Sequence, residues 1–197
     1  MSQENVQLAQ QGYEAFGRGD LEAVGQTFAD DVEWWTSDEL PAGGEVKGRA
    51  ETPPVGSRAF PSPTPTLGTA PIGLLTTRIP PDRQLLRYSV ADSIAAHKPF
   101  VVVFATPRFC TSRTCGPVVD VVDRARRSFA RSGIRFIHVE IYKDNDPAKG
   151  DNKWVRQWRL PTEPWTFIVG RDGRIKAKFE GSLSVRELES AVRRFLA

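Results

Sequence analysis

The chain has 197 residues, 40% of them apolar and 26% charged, with a net charge of +3. That length can bury a real core in one or two domains, and the balance is ordinary for a globular protein. No apolar run reaches the ~18–20 residues that cross a bilayer, the start MSQENVQLAQ lacks a basic-then-apolar leader pattern, and two cysteines are too few for a secreted disulfide scaffold. A cytoplasmic protein without a membrane partner is therefore expected, and there a close cysteine pair more often marks redox or metal chemistry than a structural bridge.

The charge is unevenly spread. Residues 1–52 carry eleven acidic and three basic side chains, net −8, whereas 53–197 carry thirteen and twenty-four, net +11. A basic half can bind nucleic acid. Here, however, Arg124, Arg126, Arg127, Arg131 and Arg135 fall largely on the solvated face of one expected helix, without interleaved aromatics. No nucleic-acid partner is expected.

In chain order, QENVQLAQQGYEAFG puts Val6, Leu8, Ala9, Tyr13 and Phe16 on one helical stripe. Gly19 ends that helix, Asp20 caps a second, and a short strand is expected around Val32–Thr36. Tyr13, Phe16, Gly19-Asp20-Leu21, Phe28, Asp30-Asp31-Val32 and Trp34 resemble the opening of SnoaL-like proteins, of the nuclear transport factor 2-like superfamily. The resemblance stops near Arg49, before the sheet that would close such a domain, and no catalytic carboxylate is carried over. Residues 1–50 thus read as a truncated SnoaL-like segment that packs or dimerises. Residues 51–81 are rich in proline, which fixes φ and removes N–H donors, so they read as an extended linker.

A patterned domain is expected over 82–197. Ser89 caps a short helix that leads into an apolar strand, Pro99–Ala105. Next come a loop bearing both cysteines, Cys110 and Cys115, and a helix over about Gly116–Ser132. A thiol at a helix start meets unpaired N–H groups and the positive end of the macrodipole, which favour thiolate. Arg108 and Arg113 flank the pair and are expected to act in the same sense. Ile134–Tyr142 forms a second strand, NKWVRQWRL a short helix, and PWTFIV and RIKAKFE a hairpin about RDG. Ser184 with Glu187 caps a last helix carrying Leu188, Val192 and Phe195. Trp154, Trp158 and Trp165 read as core packing. The fold class is α/β: a central mixed sheet with helices on both faces.

That order, together with Phe104–Pro107 running into Phe109-Cys110, Cys115-Gly116-Pro117 opening a helix, Glu163-Pro164 before PWTFIVGRDGRI, and the closing FEGSLSVRELESAVRRFL, resembles the thioredoxin superfamily, especially its cytochrome-maturation type. The resemblance implies a thioredoxin-like fold and a redox pair, Cys110 and Cys115, exchanging with protein or small-molecule thiols and disulfides without a cofactor. Phe109, Arg108, Arg113, Gly116 and Pro117 would support the pair. Pro164 would lie beside the sulfurs in a cis peptide, leaving the backbone before it open to strand-like pairing with substrate; Pro161 is the competing candidate. The chain departs from the pattern at three places: a four-residue gap between the cysteines, Val103 where thioredoxin has a buried carboxylate, and Phe109 where tryptophan is usual.

A five-residue step on one helix rises roughly 7.5 Å, whereas a disulfide holds its Cα atoms about 4.4–6.8 Å apart. A bridge therefore requires Cys110 in the loop and Cys115 at the helix start. Either could attack: family position favours Cys110, helix-start electrostatics Cys115. No metal site is expected, since neither His97 nor His138 has ligand spacing to the cysteines. The alternative function is a non-catalytic thioredoxin-like interaction module, homodimeric through its acidic N-terminal segment.

Overall fold

A computed structural model describes residues 3–27, 33–35, 45–47 and 52–196. Two compact units are present, 1–50 and 51–197. The first contains helices α1 (Gln3–Gly17) and α2 (Leu21–Gln26) and an antiparallel pair, β1 (Glu33–Trp35) with β2 (Glu45–Lys47). Asp20 caps α2 by accepting from the Ala23 N–H at 3.0 Å, the role its side chain has at a helix start. Tyr13 and Phe16 on α1 are 80% and 67% exposed. Phe28 and Asp30–Val32, which carry part of the SnoaL-like resemblance, lie outside the described residues.

The second unit is built on a four-stranded sheet in the order β4-β3-β5-β6. The central strand β3 (Phe100–Phe104) runs parallel to β4 (Arg135–Val139) and antiparallel to β5 (Trp165–Val169), which pairs in turn with β6 (Ile175–Glu180). Every residue of β3 is buried, because the sheet is covered on both faces. Phe100, Val102 and Phe104 face one core with Trp158 and Phe167; Phe104 and Phe167 lie 5.1 and 4.8 Å from the Trp158 ring. Val101 and Val103 face the other core, under α5 (Cys115–Ser128) and α7 (Val185–Leu196). Trp158 and Trp165 are core residues, as expected.

The helix ends follow from local chemistry. Ser89 accepts from the Asp92 N–H before α4 (Val90–Ala95), and Ser184 and Glu187 form a reciprocal capping box before α7. Two of the arginines in the basic row are engaged within α5, Arg126 at 2.7 Å and Arg127 at 2.5 Å from the buried Asp123 carboxylate. Among the described residues no helix is long and apolar enough to cross a membrane.

The expectation of an extended linker over 51–81 is corrected. The backbone of Gly56–Ala59 bonds to Gly173 and Ile175 at the start of β6, and Thr52 accepts from the Lys178 ammonium at 2.7 Å. Ser62 accepts from the Trp158 indole N–H at 2.8 Å and donates to Gln157 at 2.7 Å. Thr64 accepts from the N–H of Val90. In Pro61-Ser62-Pro63-Thr64-Pro65 the prolines are exposed and the hydroxyl residues buried. The segment is extended, but its period of two turns Ser and Thr inward while the outward residues are those that need no N–H partner. Farther on, α3 (Ile72–Leu75) buries Leu75, and Thr76 is also buried.

Candidate functional site

Strand β3 ends at Phe104, and the chain leaves the sheet through Ala105-Thr106 into the cysteine loop. Cys110 lies in that loop and Cys115 is the first residue of α5, the arrangement that a four-residue gap demands. The Cys115 N–H donates to Cys110 Sγ at 3.3 Å. The side chain of Thr114, the residue before the helix, makes no capping bond; the sulfur does so instead. Ser112 Oγ lies 3.2 Å from the same sulfur and 2.7 Å from Thr114 Oγ1. Both cysteines are free; Cys110 is half-buried and Cys115 fully buried.

The surroundings divide the two thiols. Burial opposes ionisation of Cys110, but bonds from the Cys115 thiol, the Ser112 hydroxyl and the Cys115 and Thr114 backbone outweigh it, and its pKa is lowered. Cys115 is pushed far up by burial, by its bond to Cys110 and by the charges of Cys110 and Glu163. Arg108 and Arg113, expected to favour the thiolate, make no bond to either sulfur. The Arg108 guanidinium lies 5.4 Å from the centre of the Phe109 ring, and Arg113 is exposed on a loop residue with φ of +59°. Water screens such exposed cations, whereas hydrogen bonds act at contact. That expectation is corrected.

Phe109 packs edge-on against Tyr142, centroids 6.4 Å apart. Gly116 and Pro117 occupy the first turn of α5, where a missing N–H is harmless. Val103 is buried among apolar neighbours, so no carboxylate approaches the cysteines from β3. The Glu163–Pro164 peptide is cis, with Pro164 buried directly before β5; Pro161 is exposed.

One residue was missed by the sequence reading. Glu163 brings a carboxylate oxygen into a group with the two sulfurs in which all three atoms lie within 4.8 Å of one another. Burial and nearby Asp151 raise its pKa, which makes its carboxylate a stronger proton acceptor than an exposed one. Its sequence signal was adjacency to Pro164, the residue that the resemblance placed beside the sulfurs. Two thiols and a carboxylate also form a donor set that fits a thiophilic ion such as zinc. His138 is not part of it: its Nε2 is 2.9 Å from the Ala105 carbonyl and its Nδ1 3.4 Å from Thr76 Oγ1.

A four-stranded mixed sheet between helices, with a cysteine loop after its central strand and a cis-proline before the neighbouring one, defines a thioredoxin-like fold. No family model matches the chain, and no curated protein matches it. Among solved structures, it is similar to a candidate thiol:disulfide interchange protein DsbE from Chlorobium tepidum, with a TM-score of 0.52, 13% identity, and coverage of 72% of this chain and 96% of that one. It also matches MTB dsbF in mixed oxidized and reduced forms, with a TM-score of 0.43, 20% identity, and coverage of 54% and 86%. A chloroplastic thioredoxin z gives 0.41, 13%, 52% and 82%. At 13% identity the likeness to the first of these is one of fold.

Proposed function

We infer that the chain is a thiol–disulfide oxidoreductase, with Cys110 the attacking thiolate and Cys115 the resolving thiol. The asymmetry of the two sulfurs supports this reading: a half-buried sulfur receiving hydrogen bonds beside a buried one held protonated. The Cys110 thiolate attacks one sulfur of a substrate disulfide; a mixed disulfide forms and the other substrate sulfur leaves as thiolate. Cys115 then gives its proton to the Glu163 carboxylate and attacks Cys110 Sγ. The Cys110–Cys115 bond forms, and the second substrate thiol is released. The substrate gains two electrons and the pair loses two; a thiol reductant resets the site, and the reverse sequence oxidises a dithiol.

Phe109, Pro164, Gly116 and Pro117 form the surround against which a protein or small-molecule disulfide docks, with Arg108 and Arg113 at its rim. In the cytoplasmic setting expected from the sequence, the resting state is the dithiol. Redox titration against glutathione, with alkylation read by mass spectrometry, tests this: the two cysteines should become protected together in one two-electron transition. If both remain alkylatable at every ratio, the reading fails.

A second reading rests on α1. Its exposed Tyr13 and Phe16 suit a non-catalytic module that pairs through a SnoaL-like N-terminal segment. Under that reading, Cys110→Ser leaves function intact and Tyr13→Ser with Phe16→Ser disrupts a dimer seen by light scattering.

A further inference from the structure

Spacing along the chain offers the cysteines no histidine partner, but the fold brings them a third donor from a distant loop. Strands β3 and β5 run antiparallel with Phe104 paired to Trp165, so the cysteine loop leaves the sheet at the end where Glu163 enters it. Thr162 pins that second loop: its hydroxyl accepts from the Trp165 indole N–H at 3.0 Å and donates to Glu180 at 2.6 Å. Cys110 Sγ, Cys115 Sγ and a Glu163 carboxylate oxygen then lie within 4.8 Å of one another. Among the described residues, no Lys, Arg or His pairs with that half-buried carboxylate.

This spacing is close to that of donors around a bound ion. A tetrahedral zinc holds sulfur at about 2.3 Å and carboxylate oxygen at about 2.0–2.2 Å, which sets its ligand atoms roughly 3.5–3.8 Å apart. Closing the three donors onto one ion takes little more than about 1 Å of side-chain movement. The ion sits among its donors and not in a cavity, so the buried Cys115 sulfur needs no solvent-facing surface. Half-buried Cys110 and Glu163 give the way in. Two thiolates and a carboxylate suit zinc, whereas copper(I) selects sulfur donors, and three protein ligands leave a fourth position for water.

We propose that the reduced cysteine pair and Glu163 form a zinc site that switches the redox site off. The ion occupies the two sulfurs that a disulfide would join, so the metal-loaded and oxidised states exclude each other. Binding stands on the three donors alone; its effect on exchange rests on the redox reading.

Zinc added to the reduced full chain, with a chromophoric chelator as competitor, tests the proposal. Binding should be one to one with a Kd below about 10 µM, and about tenfold weaker or more in Glu163→Gln and in Cys110→Ser. Cys110 lies in a loop, so its variant keeps the test open if Glu163→Gln fails to fold. Cobalt(II) in place of zinc should give a thiolate charge-transfer band that weakens in Cys110→Ser, which a merely structural role would not produce. The oxidised protein should not bind, and one equivalent of zinc should slow disulfide exchange about tenfold, with recovery on adding chelator. A weaker Kd, a smaller loss in the folded variants, or an exchange rate that zinc leaves unchanged would overturn the proposal. A two-electron couple without zinc binding removes the metal site alone. Zinc binding at these donors in a protein whose cysteines never become protected together removes the redox reading, and the switch with it.

Discussion

The backbone N–H of Cys115 donates to the sulfur of Cys110 at 3.3 Å, so one cysteine caps the helix that the other begins. The four-residue gap becomes usable because the sulfur sits where a side-chain cap would and gathers helix-start and loop donors. Cys115, one residue into the helix, is sealed in the core.

The first prediction concerns the order of attack. Because hydrogen bonds lower the Cys110 pKa, its alkylation by iodoacetamide should begin at lower pH than that of a free cysteine, whose pKa is ~8.5. Ser112→Ala removes one of those bonds and should move the midpoint upward. Cys110→Ser should abolish exchange, whereas Cys115→Ser should accumulate a mixed disulfide visible on a non-reducing gel. Accumulation in the Cys110→Ser protein instead would reverse the assignment.

A second prediction concerns Glu163. Its folded pKa is raised above its ordinary 4.5, so its contribution to stability is fully present below that value and is lost as pH rises through the folded pKa. Glu163→Gln cannot ionise and should gain in melting temperature relative to the parent as pH rises above ~4.5. The same variant should slow resolution of the mixed disulfide, because the proton of Cys115 loses its acceptor. Stopped-flow release of substrate thiol measures that step, and an unchanged rate at neutral pH would remove Glu163 from it.

Asp123 gives the opposite sign. Burial opposes its charge, but bonds from Asp82, Arg126 and Arg127 prevail and hold its pKa at about 2, below the ordinary 3.8. Its contribution to stability is present above 3.8 and lost as pH falls towards about 2. Asp123→Asn should cost about 1–3 kcal/mol in urea unfolding at neutral pH. The difference from the parent should shrink across that acid window.

The proline-rich stretch supplies a fourth test. Ser62→Ala leaves the indole N–H of fully buried Trp158 without its acceptor and Gln157 without its donor. Stability should fall by about 1–3 kcal/mol, with a change in tryptophan emission. A neutral substitution would mean that the segment is not held as described.

Much of the second unit was legible along the chain. The apolar run Phe100–Phe104 signals a strand covered on both faces, and Ser89, Ser184 and Glu187 are caps whose hydrogen bonds are local. Pairs only a few residues apart are dictated by backbone geometry, and sequence spacing carries that geometry directly. The placement of Cys110 in the loop, of Cys115 at the helix start and of Pro164 directly before β5 was legible for the same reason, as short patterns at element boundaries.

Other features required the folded chain. Ser62 finds Trp158 across 96 positions, and proline density alone hid a period-two segment that closes one core. The arginines beside the cysteines suggested the source of thiolate stabilisation, but their exposure leaves that role to the Cys115 and Ser112 donors. Glu163 lies 48 residues from Cys115 and became visible only when the strand after Pro164 paired with β3. Local order follows from the sequence because it rests on near-neighbour sterics and hydrogen bonds. Burial and long-range proximity, which raise the pKa of Cys115 and of Glu163, exist only once distant segments share one core.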